Sequence, residues 1–266
     1  MKVRDTCFRF YWKAESVIVP GLKYSQTIYE AVLRQYCHNI GCWLDLGCGH
    51  QLLPPWRLDQ ERELVQQAQV VFGLDYDFAS LKNHKTICFR VQGDIARLPF
   101  QNNSFDLVTS NMVFEHLQEP ESQLAEISRI LQPGGLLIFH TPNVFGYRTL
   151  IARLIPSFIK GKLIEFLEDR KEEDVFPTYY KINSTISIKQ AAAAAGLELR
   201  NIRLIVSSAE LVMIPPLVIL ELVFIRILMS KWCRPFRTNI IAILQKPNNS
   251  LNRTGRIATS GQSSTA

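Results

Sequence analysis

The stretch Leu44-Asp45-Leu46-Gly47-Cys48-Gly49 decides how this chain is read. Apolar residues run into a Gly-x-Gly turn, the pattern of a buried parallel strand whose backbone must bend tightly and pass close to a ligand. Two aspartates give the turn its weight. Val70 to Leu74 runs into Asp75, and Thr86 to Val91 runs into Gly93-Asp94, so each carboxylate ends a further strand-like run at the spacing of repeated strand-helix units.

The same rhythm extends outward from this stretch. Tyr24 to Tyr36 reads as a helix with Ile28, Val32 and Leu33 on one face, leading into the first strand near Cys42. Short helices are predicted within Arg57 to Gln69 and over Asp77 to His84. Ser104 to Ser110 is a fourth strand, followed by a helix over Gln118 to Leu131 that Pro133-Gly134-Gly135 is expected to stop, and a fifth strand over Leu136 to His140. After Asn143 the rhythm breaks for about forty residues, which suits a cap. It returns with an N-cap at Asn183-Ser184-Thr185, a helix through five alanines to Gly196, a strand over Leu197 to Val206 and a last strand over Asn239 to Leu244. Such alternation predicts an α/β fold, a mostly parallel sheet with helices on both faces and a crevice beyond the carboxyl ends of its strands. Gly49, Asp75, Asp94 and Ser110-Asn111 would line it.

With 266 residues and 47% hydrophobic content the chain suffices for one such domain with insertions. The expected division is a single domain over 1–246, with a cap insertion at 144–182 and an apolar insertion at 207–236, and a disordered Ser-, Thr-, Asn- and Gly-rich tail at 247–266. The net charge of +6 is spread along the chain, with no basic tract interleaved with aromatics, so nucleic acid is not an expected partner. The charge suits an anionic lipid surface or an anionic substrate equally well. Six cysteines without a CxxC pair or metal-ligand spacing, and no signal-peptide pattern, indicate a cytoplasmic protein with reduced thiols and no metal.

Asp75 offers two acceptor oxygens to the vicinal hydroxyls of a ribose, and Asp94 can accept from an exocyclic amine while the Ile95 N–H donates to a ring nitrogen. Leu74, Ile95 and Met112 would supply apolar faces for the base. Gly49 is followed by His50-Gln51-Leu52-Leu53-Pro54-Pro55, without a third glycine or an immediate helix, which disfavours a pyrophosphate. An acid at Asp45 suits an amino-bearing, cationic ligand better.

Together with Gly73-Leu74-Asp75, Gly93-Asp94-Ile95, Leu98-Pro99-Phe100, Ser104-Phe105-Asp106-Leu107-Val108, Glu115-His116-Leu117 and Leu131-Gln132-Pro133-Gly134-Gly135, the opening stretch resembles class I S-adenosylmethionine-dependent methyltransferases. The similarity is to the small-molecule type that includes quinone-biosynthesis enzymes, and it is strong over residues 40–143. It implies a Rossmann-like seven-stranded, mostly parallel sheet whose last strand is antiparallel. It also implies S-adenosylmethionine as cofactor, with Asp45, Gly47 and Gly49 at the methionine end, Asp75 at the ribose, and Asp94 with Ile95 at the adenine. Cys48, Tyr76 and Asn111 would stand beside them, Cys48 without a catalytic role. The sequence departs from the family at Gln51, where a further glycine is common, and at Pro54-Pro55, where a helix is usual.

The acceptor implied is a small or lipid-linked molecule. Methyl transfer from a sulfonium needs alignment and exclusion of water, and a base only when the acceptor must lose a proton. Candidates for that base are His116, His140, Tyr179 and Tyr180. Asp106 is expected to support the backbone rather than touch cofactor. A competing reading is a nucleotide-binding fold without catalysis that serves as a membrane-associated interaction module; a nicotinamide oxidoreductase is weakened by the missing third glycine. Leu211 to Met229 approaches the length of a membrane span but holds Pro215-Pro216, Glu221 and Arg226. Pro216 to Met229 reads instead as an apolar helix followed by Lys231-Trp232-Cys233-Arg234. That suits peripheral contact of 211–237 with the inner face of a membrane, and equally burial against the cap or in a homodimer.

Overall fold

Ile40–Leu46 forms the strand β1, third from one edge of a seven-stranded sheet in the computed structural model, which describes residues 2–154 and 177–248. Its partners are β2 (Ala68–Asp75) and β4 (Phe105–Asn111), both parallel to it. β3 (Phe89–Gln92) extends one edge, and β5 (Leu131–Pro142), β7 (Asn239–Gln245) and β6 (Glu198–Ile205) the other, in the order β3-β2-β1-β4-β5-β7-β6. β7 is antiparallel to both of its neighbours. This is the Rossmann-like sheet expected from the sequence.

Period-two alternation divides the core between the sheet's faces. Leu44, Leu46, Val108 and Phe139 pack with helices α5 (Pro120–Ile130) and α7 (Thr185–Ala194). Trp43, Leu107, Ile138 and Ile241 pack with α2 (Ser25–Tyr36), α3 (Leu58–Val65) and α4 (Phe78–Lys82). The start of α7 follows the sequence closely: the Ser184 side chain accepts from the Ser187 N–H and the Ser187 hydroxyl returns to Ser184 N–H, and Gly196 takes φ +69° past its end.

Three features differ from the sequence reading. A helix α1 (Lys2–Ile18) precedes α2; its Tyr11, and Val19 just beyond its end, pack with Val212, Val218, Leu222 and Ile225 in a third core. Cys7, Tyr11 and Ile18 recur at helical spacing, a stripe that announces this element. Helix α5 stops at Ile130, and Pro133-Gly134-Gly135 lies inside β5 instead of ending the helix. Gly134 bends the strand there with φ +85°, the pairing with β4 shifts between Phe105 and Leu107, and the Gly134 N–H donates to the Lys246 carbonyl at 2.8 Å. β3 starts three residues late because Nδ1 of His84 accepts from the N–H groups of Thr86 (3.3 Å) and Ile87 (3.2 Å), closing a turn. Burial pushes the His84 pKa down to about 4, which keeps that ring neutral and able to accept.

The remaining α-helices among the described residues are α6 (Tyr147–Leu154) and α8 (Pro215–Leu228). No helix among the described residues is long and apolar enough to cross a membrane. Most of the expected cap at 144–182, and the tail beyond 248, lie outside the described residues.

Candidate active site

The strand order reverses between β1 and β4, and the carboxyl ends of the parallel strands meet beside that point. Gly47 turns the chain out of β1 with φ +67°, its N–H donating to the Leu74 carbonyl at 2.7 Å. A Cβ there would stand 2.3 Å from Cγ2 of Val113, so close packing and backbone conformation both select glycine. Gly49 takes φ +54° and faces open space.

Asp75 ends β2 and ties the turn to the sheet. One carboxylate oxygen accepts from the Gly49 N–H at 2.7 Å, the other from the Asp77 N–H at 2.8 Å. A carboxylate has about four acceptor positions, so each oxygen retains one for a hydroxyl. The Gly93 N–H donates to the Asp75 carbonyl at 3.0 Å, holding the end of β3 alongside. Asp94, exposed just beyond, accepts from the Ala96 N–H at 2.9 Å through one oxygen, and Ile95 is buried next to it. Tyr76 is exposed, its carbonyl accepting from the Gln92 amide at 3.1 Å. Cys48 is buried; a Cβ on Gly73 would meet its sulfur at 2.7 Å, and burial pushes its thiol far up.

Asp45 lies inside the sheet, 3% exposed, where it accepts from the Thr109 hydroxyl at 2.5 Å. Thr109 in turn accepts from the Trp43 indole N–H at 2.7 Å. Burial raises the Asp45 carboxyl to about 8; the Thr109 hydrogen bond opposes the rise, and the neighbouring Glu61 and Asp75 charges add to it.

Asn111, ending β4, donates to Oε1 of Gln26 at 2.8 Å, while its Oδ1 lies 2.9 Å from Nδ1 of His140. The His140 ring is wholly buried and stacks on Tyr29, and its Nε2 lies 3.1 Å from the Asn239 amide nitrogen. With that amide donating to Nε2, the proton sits on Nδ1 and is shared with Asn111. Burial pushes the His140 pKa down to about 3, so the ring is a neutral brace with both nitrogens engaged.

His116, Tyr179 and Tyr180 come together away from His140. Nδ1 of His116 is 2.8 Å from the Pro177 carbonyl oxygen, and the Tyr179 and Tyr180 N–H groups donate to the Glu115 carbonyl at 2.8 and 3.1 Å. The buried Glu115 carboxylate, raised by its burial, accepts from the Thr141 hydroxyl at 3.0 Å, and that hydroxyl accepts from the Asn183 amide at 2.7 Å. Residues 177–183 are thereby fastened to the turn that follows β4 and to the end of β5. Asp106 does what the sequence suggested, accepting from the Cys42 N–H at 2.8 Å near the start of β1.

A cavity of about 280 Å³ opens between the entry to α2 (Tyr24, Gln26), residues 51–56 and Asn111. Two buried acids hold the loop that lines it. Glu30 accepts from Arg57 at 2.9 and 2.7 Å and from Arg34 at 3.0 Å. Burial alone would raise the Glu30 carboxyl, but the two guanidinium groups outweigh it and hold it below its usual value. Glu61 accepts from the Leu53 N–H at 2.8 Å and from the Thr86 hydroxyl. Only the Glu30-Arg34 spacing is visible in sequence; Arg57 and Thr86 are brought up by the fold. Among the described residues no group of three or more His, Cys, Asp or Glu side chains could hold a metal ion.

The sheet order and this crevice define a Rossmann-like nucleotide-binding domain. Residues 44–139 match the family described as Methyltransferase domain. The malonyl-[acyl-carrier protein] O-methyltransferase of Erwinia billingiae is 30% identical over 133 residues, 47% of this chain and 48% of that protein. The demethylmenaquinone methyltransferase of Renibacterium salmoninarum is 38% identical over 98 residues, 33% of this chain and 41% of that protein. The chain thus spans about half or less of the length of these curated relatives. The crystal structure of an S-adenosylmethionine-dependent methyltransferase from Mesorhizobium loti shares the fold, with a TM-score of 0.50 and 16% identity over 81% of this chain and 96% of that one. Over residues 44–139 the chain is therefore similar to class I S-adenosylmethionine-dependent methyltransferases, and S-adenosylmethionine is the methyl donor of that family.

Proposed function

We propose that this chain transfers a methyl group from S-adenosylmethionine to a small or lipid-linked acceptor. The observation that carries the reading is the pair Asp75 and Asp94, held at adjoining strand ends beside the open Gly49 turn with acceptor capacity to spare. That donor set fits a nucleoside: Asp75 takes the ribose hydroxyls, and Asp94 with the Ile95 N–H takes the adenine edge. Asp45, Gly47, Cys48 and Gly49 form the methionine end, with Asn111 across the cavity and Tyr76 beside the ribose. When bound, the cofactor supplies a sulfonium-activated methyl group. The chain's part is to orient the acceptor beside Asn111 and to exclude water from the crevice. His140 is committed to its brace, which leaves His116, Tyr179 and Tyr180, at the cap's anchored end, as groups able to receive an acceptor proton.

The apolar helix α8 supports an apolar acceptor, and the relatives named above act, by their names, on malonyl-[acyl-carrier protein] and on demethylmenaquinone. The corresponding location is the cytoplasm, at the inner face of a membrane. A second reading, an interaction module without catalysis, is favoured by Gln51 and by the 3-10 turn Pro55–Arg57 where the family carries a glycine and a regular helix. The carboxylate pair weighs against it. Titration with S-adenosylhomocysteine in a calorimeter is expected to give one site per chain, with Asp75→Ala abolishing detectable binding while the fold is retained. Unchanged affinity in that variant removes the ribose assignment. Incubating the chain with labelled S-adenosylmethionine and cell extract would identify the acceptor; binding without label transfer would favour the second reading.

A further inference from the structure

Apart from the buried Glu221 and the exposed Arg226, helix α8 is apolar around its circumference, and among the described residues it packs on one side against α1, with Phe224 edge-on to Tyr147 at the flank. Val218, Leu222, Ile225 and Leu228 are buried with Tyr11 of α1. At 100° per residue the other half of the helix carries Leu217, Ile219, Leu220, Val223, Phe224 and Ile227, each between 38% and 66% exposed. An all-apolar helix is stable in water only when both halves are covered. The chain continues directly into Lys231 and Trp232, the indole 93% exposed.

Charge at this surface has one sign. Arg226 borders the open half of α8, and Lys231 and Arg234 follow it, all three exposed. Among the described residues none of them is paired with a carboxylate. The only acid between residues 211 and 238 is Glu221, buried and accepting from Tyr147 at 2.7 Å and from the Leu211 N–H at 2.8 Å. A second copy packed symmetrically on this face would set these cations against each other with no acid of the same segment to answer them. An anionic bilayer answers both features at once. Fourteen residues span about 21 Å, short of the roughly 30 Å hydrocarbon core, so the helix would lie in the plane of the interface.

We propose that the open half of α8, with Trp232 and the cations Arg226, Lys231 and Arg234, is the surface by which this chain docks on an anionic lipid bilayer. The inference deepens the membrane location given above, but it stands on the exposed face and not on methyl transfer. The apolar side chains enter the boundary between headgroups and acyl chains, Trp232 sits at headgroup level, and the cations meet lipid phosphates.

The test is sedimentation of the full chain with vesicles of phosphatidylcholine alone or with 30% phosphatidylglycerol. Strong binding is expected only to the anionic vesicles. Neutralising Arg226, Lys231 and Arg234 to Gln is expected to weaken it about fivefold per charge, roughly a hundredfold in all. Leu220→Glu with Ile227→Glu is expected to abolish it, and both sets of variants should keep the wild-type affinity for S-adenosylhomocysteine, which separates failed docking from failed folding or a failed cofactor assignment. Absence of binding to anionic vesicles overturns the proposal. So does a stable dimer, seen by light scattering, that the Leu220→Glu, Ile227→Glu variant splits into monomers.

Discussion

Asp45 carries a carboxyl buried in the sheet, with a single hydroxyl donor, and its raised pKa has a consequence for stability. The folded value is about 8, against roughly 3.9 for a carboxyl in an unfolded chain. Between these values the folded chain holds a proton that the unfolded chain has lost. Stability contributed at this position is therefore full below about pH 4 and falls as the pH rises through the window to about 8. Asp45→Asn removes the titration and should flatten that fall. Urea unfolding at pH 5 and pH 8 is expected to show the wild type losing on the order of 1–4 kcal/mol more than the variant, and parallel behaviour would contradict the buried, protonated carboxyl. At the same scale, Asp75 was legible in the sequence because a carboxylate closing an apolar run at the second strand has few other uses. His140 was legible as a residue near the crevice but not in its role. Its partners Asn111 and Asn239 stand 29 and 99 positions away, and their convergence on one ring follows from strand order.

Elements were legible where local chemistry announces them. The parallel strands show as apolar runs broken by glycine or aspartate, and α7 shows through its Ser184 cap and Gly196. Boundaries failed where a tertiary partner intervened. His84 captured the N–H groups that would have begun β3, and the Gly134 bend was absorbed into β5 because Lys246, after the last strand, supplied an acceptor. The pairing of α1 with α8 joins segments some two hundred positions apart through Tyr11, Val218 and Leu222. Leu222 is wholly buried there. Leu222→Ala is expected to cost about 2–5 kcal/mol, measured by urea unfolding, because neighbours on two helices cannot close the space left behind. A loss below 1 kcal/mol would mean that α1 is not seated on α8 as described.

On the scale of the molecule, the proposed nucleoside site joins three strand ends and a glycine turn, so occupancy should stabilise the whole sheet. S-adenosylhomocysteine at a hundred times its dissociation constant adds about 2.7 kcal/mol. For a domain of this size the thermal midpoint should rise by roughly 5–10 °C. NAD and NADP at the same concentration are expected to leave it unchanged, and a rise with either instead would favour the oxidoreductase reading.

By itself the sequence determined the α/β class, the crevice end of the sheet, and the place of the carboxylates Asp75 and Asp94 beside it. Apolar periodicity and the glycine turn are local properties, and a residue carries them wherever the rest of the chain lies. Tertiary structure alone decided that His140 is a brace, that Glu30 and Arg57 hold the loop after β1, and that half of α8 faces outward. Each of these depends on which distant residue arrives beside a given side chain, and burial and partnership exist only once the strands have taken their order.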